Sequence, residues 1–333
     1  MGRRSRAWTL LVAGAVAGAA SGARVARAAD EGLATTGDLL PPVKPLRLMQ
    51  DVPESVYDLE APPAPDQGVN EGGVNLDLTV RYLTDYVFRG IDRSEGNGGF
   101  NDEHGKPIVF ENGNGTPGAE DAPNLQVDTK LKFDLGRLPS PFIGLFANVF
   151  NDDPINRFQE IRPFFGLEWR IRPLILAGGH TSYIFPERDP ANTNEVWGSV
   201  TLDDSFLWHT DHPVLMPYIF GAYDYDLYDG AYFEAGIKHE MPIENTALTL
   251  TFVADVAYVQ NDKQFTFDHG ADTGLQHYDI GLIGRYDLNT ALNISRRYGT
   301  FALEGYLYYT NGIDVDLLAE TQLWGGIGIA FHY

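Results

Sequence analysis

From Val74 onward the chain repeats one pattern, apolar and polar residues in alternation, and a period of two is the signature of β-strand. In the first segment Val74, Leu76, Leu78, Val80, Tyr82, Tyr86 and Phe88 share one face. Asn75, Asp77, Thr79, Arg81, Asp85 and Arg89 share the other. Leu125, Val127, Thr129, Leu131 and Phe133 then alternate with Gln126, Asp128, Lys130, Lys132 and Asp134. Ile161, Phe165, Leu167, Trp169 and Ile171 alternate with Glu160, Arg162, Glu168, Arg170 and Arg172. The same rhythm places Glu234 and Lys238, then Asp255, then His277, Asp279 and Arg285, then Glu304 opposite apolar faces. Weaker segments lie near 142–151, 174–184, 195–203 and 215–226. With a last strand over 324–333, the pattern predicts about twelve strands.

A soluble sandwich also alternates, but it covers its apolar face with a second sheet. Here nearly every segment sets an apolar face against a face bearing charges of both signs in mid-strand. A membrane barrel gives each face a medium, lipid outside and a wet lumen inside, and closure satisfies every backbone group. Connection lengths agree. The stretches 92–124 and 261–273 are long and polar, as outer loops are. Those at 137–141, 172–173 and 242–245 are as tight as periplasmic turns. Three connections fit less well: 205–212 and 289–298 are long for turns, and 226–230 is short for an outer loop. Tyr82, Tyr86, Phe88, Trp169, Tyr258, Tyr286 and Tyr309 suit interfacial girdles. The expected fold is therefore all-β, a closed antiparallel transmembrane β-barrel of about twelve strands over 74–333.

Two segments precede it. Arg3, Arg4 and Arg6, the apolar run 7–20 and Ala26-Arg27-Ala28 read as a secretory signal peptide over 1–28. Residues 29–73 form an acidic leader whose prolines prevent regular structure, expected to be disordered in the periplasm. Removing 1–28 takes away five arginines and no acid, moving the formal charge from −22 to −27. So acidic a chain argues against nucleic-acid binding. The absence of cysteine excludes a disulfide framework.

At the C-terminus Ile327, Ile329, Phe331 and Tyr333 form an apolar face that ends on an aromatic, led by Gly325. A soluble protein rarely leaves so apolar an edge uncovered. We read these five residues as the signal by which barrel-assembly machinery pairs with the strand.

The stretch Leu83-Thr84-Asp85-Tyr86-Val87-Phe88-Arg89-Gly90-Ile91 resembles the opening strand of the TorF-type putative porins. The resemblance covers that strand alone, and the long insertion after Asp92 and the acidic leader depart from the family pattern. It implies a pore-like protein of the outer membrane. It singles out Arg89, expected to point inward near the outer rim and brace the lumen with Asp85.

The predicted inward charges are Asp77, Arg81, Asp85, Arg89, Asp128, Lys130, Lys132, Glu160, Arg162, Glu168, Arg170, Glu234, Lys238, Asp255, Asp279, Arg285 and Glu304. Rings of charge filter ions and small solutes, whereas paired charges can cross-link and close a narrow barrel. The expectation is a porin-like channel for passive diffusion of small hydrophilic solutes or ions. A weak cation preference follows from the acidic excess. Tyr218, Phe220, Tyr232, Tyr306, Tyr308, Trp197 and Trp324 are read as inward space-fillers. A structural or adhesin-like barrel acting through its outer loops is the alternative. A hydrolase built on His180 with Ser182, or on His209, Asp211 and His212, is the weaker one. The acids at 101–103 and 120–121 lack calcium-loop spacing. Expected partners are outer-membrane lipid, the assembly machinery and the solutes. No cofactor, metal or catalytic residue is expected.

Overall fold

Each strand of the wall pairs antiparallel with the next, and the last returns to the first. The computed structural model describes residues 73–92, 123–150, 160–186, 192–263, 271–314, 317, 319 and 321–333. The signal segment, the leader up to residue 72, and the acids at 101–103 and 120–121 lie outside the described residues. The elements are β1 (Val74–Leu83), β2 (Val87–Phe88), β3 (Ile91–Asp92), β4 (Asn124–Phe133), β5 (Ser140–Phe150), β6 (Glu160–Ile171) and β7 (Leu174–Tyr183). They continue with β8 (Thr193–Leu202), α1 (Ser205–Trp208), β9 (Tyr218–Asp224), β10 (Gly230–Pro242), β11 (Leu248–Asp262) and β12 (Asp272–Asp287). The chain finishes with α2 (Leu288–Leu292), β13 (Thr300–Gly312) and β14 (Gln322–His332). Strands β1 and β4 to β14 close a twelve-strand antiparallel barrel, while β2 and β3 pair only with each other.

The alternation sorts residues as a membrane wall requires. Ile143, Phe165, Leu167, Ile219, Leu307 and Ile327 stand exposed on the outside. The charged residues opposite them are buried inside. The seam joins β1 to β14, with Leu78 opposite Phe331 and Arg81 opposite Gly328. Beyond the last ladder residue, Tyr333 N–H donates to the Leu76 carbonyl at 2.9 Å, and Leu76 N–H to the Tyr333 carbonyl at 2.7 Å.

The first strand is shorter than its alternation suggested. It ends at Leu83, although the faces read from spacing ran on to Phe88 and Arg89. Thr84 makes the last link to β14, its N–H donating to the Gly325 carbonyl at 2.8 Å. The chain then turns into the barrel. Tyr86 and Phe88, expected at a lipid girdle, are buried within the lumen. The other girdle residues with an exposed ring, Tyr82, Tyr258, Tyr286 and Tyr309, are on the outside. Asp134 and Arg172 also depart from the inward set, because both sit in exposed turns. Asp134 there accepts the Gly136 N–H at 2.7 Å.

The three awkward connections have local explanations. The long β8–β9 turn wraps a carboxylate. Asp204 accepts N–H groups from Val214 at 2.8 Å and Leu215 at 2.9 Å, and the Trp208 indole N–H at 2.8 Å. The long β12–β13 turn holds α2, whose N-terminus is capped by Asp287 accepting the Thr290 N–H at 3.1 Å. The short β9–β10 connection is tied by Asp224, which accepts from Asp226 and Leu227 N–H at 3.1 Å and Tyr228 N–H at 3.2 Å.

Candidate functional site

The two strands outside the wall make the site. Val87-Phe88 and Ile91-Asp92 pair across a two-residue turn, Arg89-Gly90, with φ of 52° and 75°. Two successive positive φ angles are the type I′ geometry that matches strand twist. Glycine takes this conformation freely, and arginine carries its cost. The hairpin's tip is packed, not solvated. An added Cβ at Gly90 would lie 2.5 Å from Cγ of His277.

From this position the hairpin reaches around the lumen. Arg89 makes an ion pair with Glu195 of β8 at 2.6 Å. Its guanidinium lies 4.5 Å from the ring centroid of Tyr232 on β10 and 5.1 Å from that of Phe88. The Tyr183 hydroxyl donates to the same Glu195 at 3.2 Å. Arg89 thus reaches a partner on β8, away from β1 in the strand order. Tyr86 donates its hydroxyl proton to Glu160 at 2.7 Å, and Arg162 bonds both groups. The Arg162 guanidinium sits 4.1 Å from the centroid of Phe88 and 4.9 Å from those of Phe146 and Tyr183. It is a buried cation in an aromatic box, where the ring quadrupoles and the Glu160 carboxylate offset its desolvation.

The apolar side chains of the hairpin enter three clusters. Phe88 packs with Phe146, Tyr183 and Phe185. Val87 packs with Val253, Ile283, Tyr306, Tyr308 and Trp324. Ile91 joins Phe142, Phe164, Trp197, Phe220 and Tyr232, together with Leu317 from the β13–β14 connection. The aromatics read as inward space-fillers are all buried here. At the level of the hairpin these buried clusters join it to the wall on several sides.

The remaining predicted charges also turn inward, and most have a partner of opposite sign. Lys132 meets Glu168 at 3.6 Å, and Glu168 also meets Arg170 at 3.0 Å. Arg81 meets Asp128 at 3.9 Å and donates to the Tyr306 hydroxyl at 3.3 Å. Arg285 meets Glu304 at 3.7 Å, and Lys238 meets Glu240 at 3.3 Å. Glu234 accepts the hydroxyls of Tyr218 at 2.5 Å and Tyr232 at 3.0 Å. Lys130 lies 5.0 Å from the Phe142 centroid. Asp77 pairs with His332 across the seam. Asp85, Asp255 and Asp279 are buried with the rest, and Arg170 alone of the set is partly open. Sequence reasoning missed Glu195, Asp224, Asp92 and Glu240 as inward acids. Glu195 and Asp224 sit on its weak segments, where small residues blur the alternation.

The hydrolase candidates are not assembled. Ser182 donates its hydroxyl proton to Asn194 at 2.7 Å, and His180 Nε2 meets the Tyr225 hydroxyl at 2.8 Å. A nucleophile must share its proton with its base, and here each has another partner. His209, Asp211 and His212 are exposed in the β8–β9 turn.

An apolar outer wall around a charged interior, closed so that no strand edge remains, defines an outer-membrane β-barrel. Among solved structures, the NanC porin overlaps 77% of this chain and 98% of its own, at 10% identity and a TM-score of 0.41. An outer-membrane channel from Pseudomonas putida F1 overlaps 81% and 99%, at 8% and 0.43. Outer membrane phospholipase A from Escherichia coli overlaps 78% and 92%, at 12% and 0.36. These likenesses do not single out the TorF-type porins. No protein-family model and no curated protein sequence matches the chain.

Proposed function

We propose that the chain, exported by residues 1–28, is a porin-like channel of the outer membrane for small hydrophilic solutes or ions, and that its inserted hairpin closes it. The observation carrying this reading is that the hairpin belongs to no ladder of the wall. It sits in the lumen and is bonded to the wall by side chains such as Arg89–Glu195. It can therefore leave without opening the barrel, as a gate must. Paired charges line the interior elsewhere, as Lys132–Glu168 and Arg285–Glu304 do, and rings of charge can filter ions.

The test is single-channel conductance in planar bilayers. Arg89→Ala, and a chain with residues 85–92 replaced by a short Gly-Ser link, are expected to conduct for a larger fraction of time than the unaltered protein. Absence of conductance above background in all three would overturn the reading.

A further inference from the structure

Strand β12 carries an irregularity that the channel reading does not use. Val256 pairs with Tyr278 and Tyr258 with Leu275, so Ala257 alone faces the two residues Gln276 and His277. One residue against two is a β-bulge, a device that re-aims side chains and is frequent beside functional sites. Its effect here is that two consecutive side chains both point inward, each buried. The strand's parity changes at this point. Leu275 before it is exposed, and His277, Asp279 and Ile283 after it are buried.

The bulge brings His277 to two carboxylates. Asp255 and Asp279 are register partners on β11 and β12. One donor atom from each of Asp255, His277 and Asp279 lies within 4.8 Å of the other two. All three residues are buried, unlike a solvated acidic patch. The groups behind them are set as those behind metal ligands are. The Gln276 amide oxygen lies 3.3 Å from Nδ1 of His277, the arrangement in which an outer acceptor holds a proton on Nδ1 and leaves Nε2 to a metal. Nε2 faces Asp279 Oδ2 at 3.4 Å. Two electron-rich atoms held face to face need a cation or a proton between them. Thr310 donates its hydroxyl proton to the other oxygen of Asp279, fixing that carboxylate. The Nε2 group of Gln276, on a side chain with no exposed surface, has no hydrogen-bond acceptor among the described residues. The amide is therefore held at the cluster without its full complement of partners.

We propose that Asp255, His277 and Asp279 bind a divalent transition-metal ion of the Zn2+ type on the inner wall, against the turn of the hairpin. One imidazole nitrogen and two carboxylate oxygens form a donor set that such ions accept. In tetrahedral geometry, bonds of about 2.0–2.2 Å place donors about 3.3–3.6 Å apart, so the widest-set donors close by at most about 1.5 Å on binding. The site does not depend on whether the barrel conducts. Its position matters to the hairpin all the same, because the His277 ring is the surface on which Gly90 rests.

The experiment is Zn2+ binding to the purified full-length barrel after chelator treatment. One equivalent per chain is expected. His277→Gln and Asp279→Asn should weaken binding by about tenfold or more, while His180→Gln and His209→Gln should leave it unchanged. Heat-modifiable migration reports which variants fold. Zn-edge X-ray absorption of the unaltered protein serves as the second measurement, with one imidazole and carboxylate oxygens expected around the metal. No stoichiometric uptake, uptake that persists in folded His277→Gln, or an all-oxygen shell would each overturn the proposal. No uptake together with a protonated His277 in NMR titration would mean an imidazolium–carboxylate pair instead.

Discussion

Arg162 shows how a single side chain can hold a lumen together. Its guanidinium is 1% exposed, bonds Glu160 and Tyr86, and is boxed by rings from both the hairpin and the wall. Truncating it strands a buried carboxylate. Arg162→Ala is therefore expected to cost about 3–5 kcal/mol, read as a lower denaturant midpoint for barrel unfolding. Arg162→Lys keeps the charge but loses the planar stack, and should recover only part of that loss. Gly90 poses the opposite problem. A methyl group there meets both a positive φ and the His277 ring. Gly90→Ala should cost at least about 1 kcal/mol and loosen the hairpin, seen as faster amide exchange at 87–92. Unchanged exchange would argue against the packed turn.

At the scale of the element, the β8–β9 turn is organised by Asp204. Burial pushes its carboxyl up, but the N–H groups of Leu215, Val214 and Met216 and the Trp208 indole hold it below the ordinary value of 3.8. A depressed acid contributes stability that is present above its unfolded value and lost as pH falls through the folded one. Amides 214–216 should therefore lose protection only as pH drops below 3.8, and Asp204→Asn should abolish that dependence. The closing strand is a second case. Tyr333 exchanges two backbone bonds with Leu76, and Phe331 lies 4.9 Å from the Phe301 ring, centroid to centroid. Deleting 331–333 removes both contacts and opens a strand edge to lipid, which cannot satisfy it. Such a chain should fail to give a heat-modifiable outer-membrane barrel, and normal assembly would count against the reading of Gly325, Ile327, Ile329, Phe331 and Tyr333 as the assembly signal.

For the whole molecule, the sign of the interior bears on the proposed conduction. Among the described residues, the barrel strands and inserted hairpin bury twelve carboxylates against seven lysines and arginines. A lumen with that imbalance attracts cations and repels anions. In a salt gradient the reversal potential should take the sign for cation preference. Replacing Glu234 and Asp255 by their amides should move it toward zero. An anion-selective pore would contradict the charge balance.

Alternation was enough to tell wall from interior. A strand closed into a barrel must present every second residue to lipid, so Ile143, Leu167 and Ile327 on one side and Asp128, Lys132 and Glu304 on the other were legible from spacing alone. The apolar end at Tyr333 and the number of strands followed from the same period. The period breaks where the chain leaves the ladder. Thr84 occupies an apolar position, Tyr86, Val87 and Phe88 are three apolar residues in a row, and Arg89-Gly90 is a turn. A hairpin packed inside a lumen is covered on both faces, so residues of both parities are buried, but the break in period alone does not say what covers them. The Arg89–Glu195 pair spans 106 residues, and the two-residue bulge at Gln276–His277 depends on what Ala257 faces across the sheet. Both are relations between strands, set by register and closure, and no local pattern encodes them.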